Sequence, residues 1–203
     1  MKCVPLALAW AGFALLLAAS AAFASGHHDG PPISMPGEIA GKVIHVDDGD
    51  TLTLLAGDKS WRVIRLSDID APEVGHGSKR PGQPYGRQAA DFLRNLALGK
   101  QARSTCYDVD RRMRDDGTMR DRYVCKVFVD GIDANLAMID AGLAMAERQN
   151  KRYVRDPATY AHEDAARAKR RGLWAQPVVV APWEWRRGCW QSGRCGGAAA
   201  ETP

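Results

Sequence analysis

The sequence predicts an α+β fold, a five-stranded OB-fold barrel with a helix between strands three and four and two further C-terminal helices. Three observations carry that expectation. Three short β-type runs open the folded part of the chain, an amphipathic helical stretch follows them, and two more strands precede two glycine-terminated helices. Strand alternation alone leaves sandwich and barrel nearly tied; the order of the elements favours the barrel.

The first three strands are expected at residues 41–46, 51–55 and 61–66. Asp47-Asp48-Gly49-Asp50 and Ala56-Gly57-Asp58 separate them, which reads as an antiparallel meander. Between Gln83 and Leu98, Ala89, Phe92, Leu93, Leu96 and Ala97 fall at helical spacing, and Gly99 closes the run. Strands at 100–107 and 123–129 flank an Arg- and Asp-rich segment, 108–122, whose charge run reads as a solvated loop. A helix over 133–141 is stopped by Gly142. The last helix starts at Asp156-Pro157 and ends at Gly172, with Ala161, Ala165 and Ala168 as its inner face, a close-packing surface for a sheet. This assigns 39–176 to the barrel domain and 177–203 to an extension carrying Trp183, Trp185, Trp190 and two cysteines.

The chain of 203 residues is 45% hydrophobic and 26% charged, the composition of a globular protein. Its net charge of +4 excludes a histone-like polycation, so any nucleic-acid partner must meet a local patch. Residues 148–187 supply one, with ten basic residues against four acidic; about half of them simply solvate the last helix.

Met1 and Lys2 precede an apolar stretch, 4–19, that ends in Ala22-Phe23-Ala24, a site of the signal-peptidase kind. The expectation is a signal peptide over 1–24, an exported protein in the periplasm or secreted, and no stable membrane association after cleavage. Residues 25–38 read as a flexible arm. Cleavage would leave Ser25-Gly26-His27, whose amine, amides and imidazole suit Cu²⁺, although plain polar residues in an arm are the simpler reading of His27. Four cysteines remain. An even count in an exported chain reads as two disulfides, and the absence of any C-x-x-C spacing argues against zinc. The pairing expected is Cys106 with Cys125 across neighbouring strands and Cys189 with Cys195 around a glycine turn.

The candidate chemistry lies in three places. Asp47, Asp48 and Asp50 could converge on one hard cation, but such turns are commonplace and no EF-hand glutamate follows. Arg65 stands on an otherwise apolar strand, close in sequence to Asp70-Ala71-Pro72-Glu73, and a buried arginine needs partners. Arg122 opens a strand, unlike the other arginines of the charged segment.

Together these residues make a pattern that none makes alone. Asp48-Gly49-Asp50-Thr51, Arg65-Leu66, Ile69 to Glu73, Gln83-Pro84-Tyr85-Gly86, Gly131 with Asn135, Gly142-Leu143-Ala144 and Gly172-Leu173-Trp174 stand in one order. That order resembles the staphylococcal nuclease family over residues 41–174. The resemblance implies an enzyme that hydrolyses phosphodiester bonds of DNA and RNA with one Ca²⁺ and low sequence specificity, as a monomer. It implies Asp50, Asp70 and the Ala71 carbonyl as metal ligands, with Asp48 holding metal-bound water. Glu73 takes the place of the residue that activates or orients the attacking water, and Arg65 and Arg122 those of the phosphate-binding arginines. Arg120 is the alternative to Arg122, with Asp121 a neighbour able to draw Arg122 from phosphate. The family's base-covering tyrosines fall near Arg148 and Asn150, leaving Tyr85, Tyr153, Arg120 and Arg148 as substrate-binding candidates. The competing reading is an OB module of the cell envelope that binds oligonucleotides without cutting them; an envelope interaction protein using the Trp-rich tail is a third. Retention of Asp50, Arg65, Asp70 and Glu73 together favours the enzyme.

Overall fold

The computed structural model describes residues 37–113, 117–150 and 153–195. Strands β1 (Glu38–Val46), β2 (Thr51–Ala56) and β3 (Trp61–Leu66) form the expected antiparallel meander. β1 also pairs with β5 (Gln101–Met113), β5 pairs with β6 (Met119–Val129), and β6 runs parallel to β3, which closes the barrel. Helix α1 (Gly86–Ala97) lies between the third and fourth long strands, and α2 (Ala134–Asp140) and α3 (Ala158–Ala168) follow the last. The five-stranded barrel is therefore present. Short strands were not foreseen: β4 (Ile69–Asp70) pairs with β8 (Met145–Ala146), and β7 (Ile132–Asp133) extends β6.

Alternation explains the core. Val43, Leu52, Leu54, Ile64, Leu66, Val127 and Val129 fill the barrel, and α1 covers one end with Ala89, Leu93 and Ala97. Phe92 and Leu96 flank that face and are only partly buried.

Three expectations need correction. The charged segment is no loop but the far end of a hairpin, because its opposite charges pair across the strands, Arg111 with Asp121 at 3.2 Å and Arg122 with Asp110 at 2.7 Å. The last helix is shorter than expected and presents Thr159, Glu163 and Ala166 inward, while Ala161, Ala165 and Ala168 are exposed. Its orientation follows Glu163, which accepts the Ala146 amide at 3.0 Å and pairs with Arg148; an ion-paired acid, not the alanine stripe, sets the buried face. The fold also begins earlier than residue 39, with β1 starting at Glu38 and Gly37 accepting the Cys106 amide. The expected signal peptide, residues 25–36 with His27, and residues 196–203 lie outside the described residues. Among those described, no helix is long and apolar enough to cross a membrane.

Both expected disulfides are present, Cys106–Cys125 within the β5–β6 ladder and Cys189–Cys195 in the extension. The extension packs on the barrel. Helix α4 (Pro182–Trp185) and the π turn Arg186–Trp190 bring the indole nitrogens of Trp185 and Trp190 to the Pro81 carbonyl, and Gln83 donates to Val180.

Asn135 is the buried hub behind this face. Its amide donates to the Ser67 and Cys125 carbonyls at 2.8 and 3.3 Å and its carbonyl accepts from Val127 at 2.9 Å, tying α2 to β6 and to the turn after β3. Asn135→Ala strands these backbone groups, so urea unfolding is expected to show a loss of about 3 kcal/mol.

Candidate active site

Strand register assembles the site before any side chain is considered. The Leu66 amide donates to the Asp50 carbonyl at 2.8 Å, so the start of β2 lies against the end of β3 and Asp50 beside Arg65. The chain then turns at Asp68, which adopts a left-handed conformation, and β4 returns Asp70 to the same point. Asp68 can hold that strained turn because its carboxylate accepts the amides of Arg155 and Asp156. Pairing of β4 with β8 brings in Glu147, whose amide donates to the Asp68 carbonyl.

Arg65 is 5% exposed and serves all three carboxylates. Nη1 meets Asp50 at 2.7 Å; Nη2 meets Asp70 and Glu147 at 3.3 Å each and the Ile69 carbonyl at 3.1 Å. The guanidinium also lies over the Tyr153 ring, 5.5 Å from its centroid. Its planar fork directs separate nitrogens at separate carboxylates in a fixed geometry, which the single nitrogen of a lysine cannot. Burial disfavours the Asp50 charge, but Arg65, the Ala71 amide and Arg122 overcome that and hold its carboxyl at about 2. Asp48 has the opposite balance. Burial, then repulsion from Asp50 and Glu73, pushes its carboxyl well above the usual range.

Glu73 faces the same space, and burial pushes it up to about 7 against the pull of Arg186. Its position depends on Gly86, the first residue of α1. A Cβ there would lie 2.1 Å from the Glu73 carbonyl oxygen, so only glycine lets α1 approach the segment that carries Glu73.

These groups line a cavity of about 330 Å³, whose wall includes Asp48, Asp50, Arg65, Glu73, Arg122 and Glu147. The structure thus separates the two arginine candidates. Arg122 is in the cavity wall; Arg120 lines a different groove with Arg62 and Tyr123. Asp121 does not hold Arg122, since it pairs with Arg111 and it is Asp110 that engages Arg122. Tyr153 and Asn150 line the cavity, whereas Tyr85 packs against the core. Arg148 is also turned away, paired with Glu163 and stacked on Tyr160. Ala71 is buried beside Asp50, its amide 3.0 Å from Oδ2.

Two site residues escaped sequence reading. Glu147 gave no local signal, because β8 was not foreseen. Arg186 belongs to the extension and looked like one more charge in a basic run, yet its guanidinium meets both oxygens of Asp70, at 3.1 and 2.7 Å, and also Glu73. The adjacent Trp185, 2% exposed, was the available clue: a buried tryptophan fixes its neighbour in space.

Residues 63–176 match the family model described as staphylococcal nuclease homologue. The chain belongs to the staphylococcal nuclease family. An uncharacterized endonuclease of Escherichia coli O157:H7 is 36% identical over 150 residues, covering 73% of this chain and 86% of the relative. The micrococcal nuclease of Shigella flexneri is 34% identical over 161 residues, covering 76% and 86%. An uncharacterized endonuclease of Haemophilus influenzae is 34% identical over 147 residues, covering 72% of each. The family match spans the strands and turns that carry Arg65, Asp70, Glu73, Arg122 and Glu147 but stops short of Arg186.

Gly86→Ala must drive α1 and the Glu73 backbone apart, and a loss of about 2 kcal/mol or more is expected in thermal or urea unfolding. An unchanged midpoint would contradict the close approach.

Proposed function

We propose that the protein is a Ca²⁺-dependent nuclease that hydrolyses phosphodiester bonds of DNA and RNA with low sequence specificity. The observation that carries this reading is one cavity walled by ionised Asp50, by Arg65 and Arg122, and by the carboxylate of Glu73. The relatives named as nucleases and endonucleases support the same chemistry.

The residues fit the cation the family implies. Asp48, Asp50, Asp70, Glu73 and Glu147 bring five carboxylates against four guanidiniums, from Arg65, Arg80, Arg122 and Arg186. Arg122 is in turn shared with Asp110. Burial first, and then the neighbouring Asp50 and Glu73 carboxylates, raise Asp48. Oxygen donors with excess negative charge suit a hard divalent ion. The set the family implies is two carboxylates, Asp50 and Asp70, one carbonyl, Ala71, and water; among the described residues no three acidic, histidine or cysteine side chains form a ready-made cage.

Ca²⁺ bound there would act as a Lewis acid on the phosphate and offset charge as it develops. Arg65, fixed by its carboxylates, would present guanidinium N–H groups to the equatorial oxygens without reorganising. Arg122 would give a second contact on leaving Asp110. Glu73 would orient the attacking water and accept its proton, a role suited to a carboxyl raised by burial. Asp48 would hold water beside the ion. Recognition through phosphate and charge explains low sequence specificity. Tyr153 and Asn150 in the wall, with Arg120 and Arg148 elsewhere, leave little base-covering surface from the barrel itself. The two disulfides support an oxidising compartment, periplasmic or secreted, and a monomer satisfies the site from one chain.

The test is incubation of the purified protein with plasmid DNA and with RNA, in Ca²⁺ and in chelator. Breakdown of both in Ca²⁺ alone is expected. Arg65→Lys keeps the buried positive charge but loses the fork, and Glu73→Gln loses the base; each is expected to slow cleavage about 10²-fold or more while circular dichroism stays native. Arg65→Ala is the poorer test, because it abandons three buried carboxylates and undermines folding. Near-parental rates in the Lys and Gln variants would remove the catalytic roles. No Ca²⁺-dependent breakdown of either substrate would leave an oligonucleotide-binding module.

A further inference from the structure

Arg186 has a place that neither the family match nor the barrel requires. Asp70 is 0% exposed and is not part of the cavity wall, because the guanidinium of Arg186 covers both its oxygens. The same guanidinium reaches Glu73, while its side chain remains 33% exposed and itself lines the cavity. It therefore stands between the open cavity and the carboxylate that a cation would need.

The support for Arg186 is rigid. Trp185 precedes it in the core, with Nε1 on the Pro81 carbonyl at 3.2 Å, and Trp190 follows one turn later on the same carbonyl at 2.9 Å. Cys189, joined to Cys195, closes the turn. The backbone is thus pinned on both sides of Arg186, and only its side chain has freedom to move. A guanidinium on a fixed base, facing a cavity and bound to two acids, is a tethered cation.

We propose that Arg186 is a further catalytic residue: it neutralises Asp70 and Glu73 while the site holds no divalent cation, and moves to the scissile phosphate when Ca²⁺ takes Asp70. This rests on the nuclease reading and adds to it. The exchange leaves Asp70 compensated, because the ion more than replaces the single positive charge that Arg186 withdraws and Arg186 carries that charge to the anionic phosphate. It also adds to what the barrel supplies. Arg65 is held by the site's carboxylates and Arg122 by Asp110 at 2.7 Å, and Arg186 brings a further guanidinium from the extension to the same cavity. A guanidinium that reaches phosphate only after the ion is seated acts in the transition state more than in the ground state, which is where stabilisation raises the rate.

The test has two readouts on wild type, Arg186→Gln and Arg186→Lys, all full-length and checked for native near-ultraviolet dichroism. Calorimetric titration with Ca²⁺ alone measures the competition. Removing the tethered cation is expected to tighten Ca²⁺ binding about tenfold in the Gln variant, with the Lys variant closer to wild type, because the ion no longer displaces a bidentate partner. Single-turnover cleavage of a labelled oligonucleotide at saturating Ca²⁺ measures the second role, and a loss of about 10²-fold is expected in the Gln variant. Unchanged or weaker Ca²⁺ binding overturns the competition. Tighter binding with undiminished cleavage overturns the transfer to phosphate and leaves a plug. Should the Gln variant fail to fold, Arg186→Met, which also removes the charge, carries the same two readouts, with undiminished cleavage or unchanged affinity counting against the proposal. Loss of Ca²⁺-dependent cleavage in the wild type would instead strike at the nuclease reading itself.

Discussion

The charge on Arg65 is the constraint on which this face of the protein depends. A guanidinium that is 5% exposed is costly to bury, and it is tolerated because Asp50, Asp70 and Glu147 surround it. Those acids arrive from β2, β4 and the end of β8. The ion cluster therefore fixes where three separate elements meet, and register errors in any of them would strand a charge. Asn135 and Asp68 secure the same junction from behind through backbone hydrogen bonds.

That cluster overshoots neutrality, and function follows from the excess. Five carboxylates face Arg65, Arg80, Arg122 and Arg186 there, and burial, with repulsion among the acids, raises Asp48 and Glu73. A fold seeking only stability would match the charges or replace them with apolar groups. Unspent negative charge beside convergent guanidiniums is instead the arrangement needed for a hard cation and a phosphate together.

Much of this was legible in the sequence where the signal is local. Asp50, Arg65, Asp70 and Glu73 lie within 24 consecutive positions, and short turns between β-type runs leave few ways to arrange them. The five strands and α1 were legible for the same reason, through alternation and helical spacing. What failed was long-range. Glu147 is 82 positions from Arg65 and Arg186 is 116 from Asp70, and no periodicity reports a two-residue strand or a chain end folding back. The hairpin of 101–129 was misread because charges that pair across strands look, in one dimension, like charges that seek water. The last helix was misread on the same ground: the alanine stripe stood as its inner face, whereas Glu163, paired with Arg148, lies inward and leaves the alanines outside.

The account turns on one place, the two oxygens of Asp70, and a crystal structure grown with Ca²⁺ examines it directly. One ion held by Asp50, Asp70 and the Ala71 carbonyl, with the Arg186 guanidinium withdrawn from Asp70, is the predicted result. An ion bound elsewhere, or Arg186 still seated on both oxygens of Asp70 at saturating Ca²⁺, would contradict it.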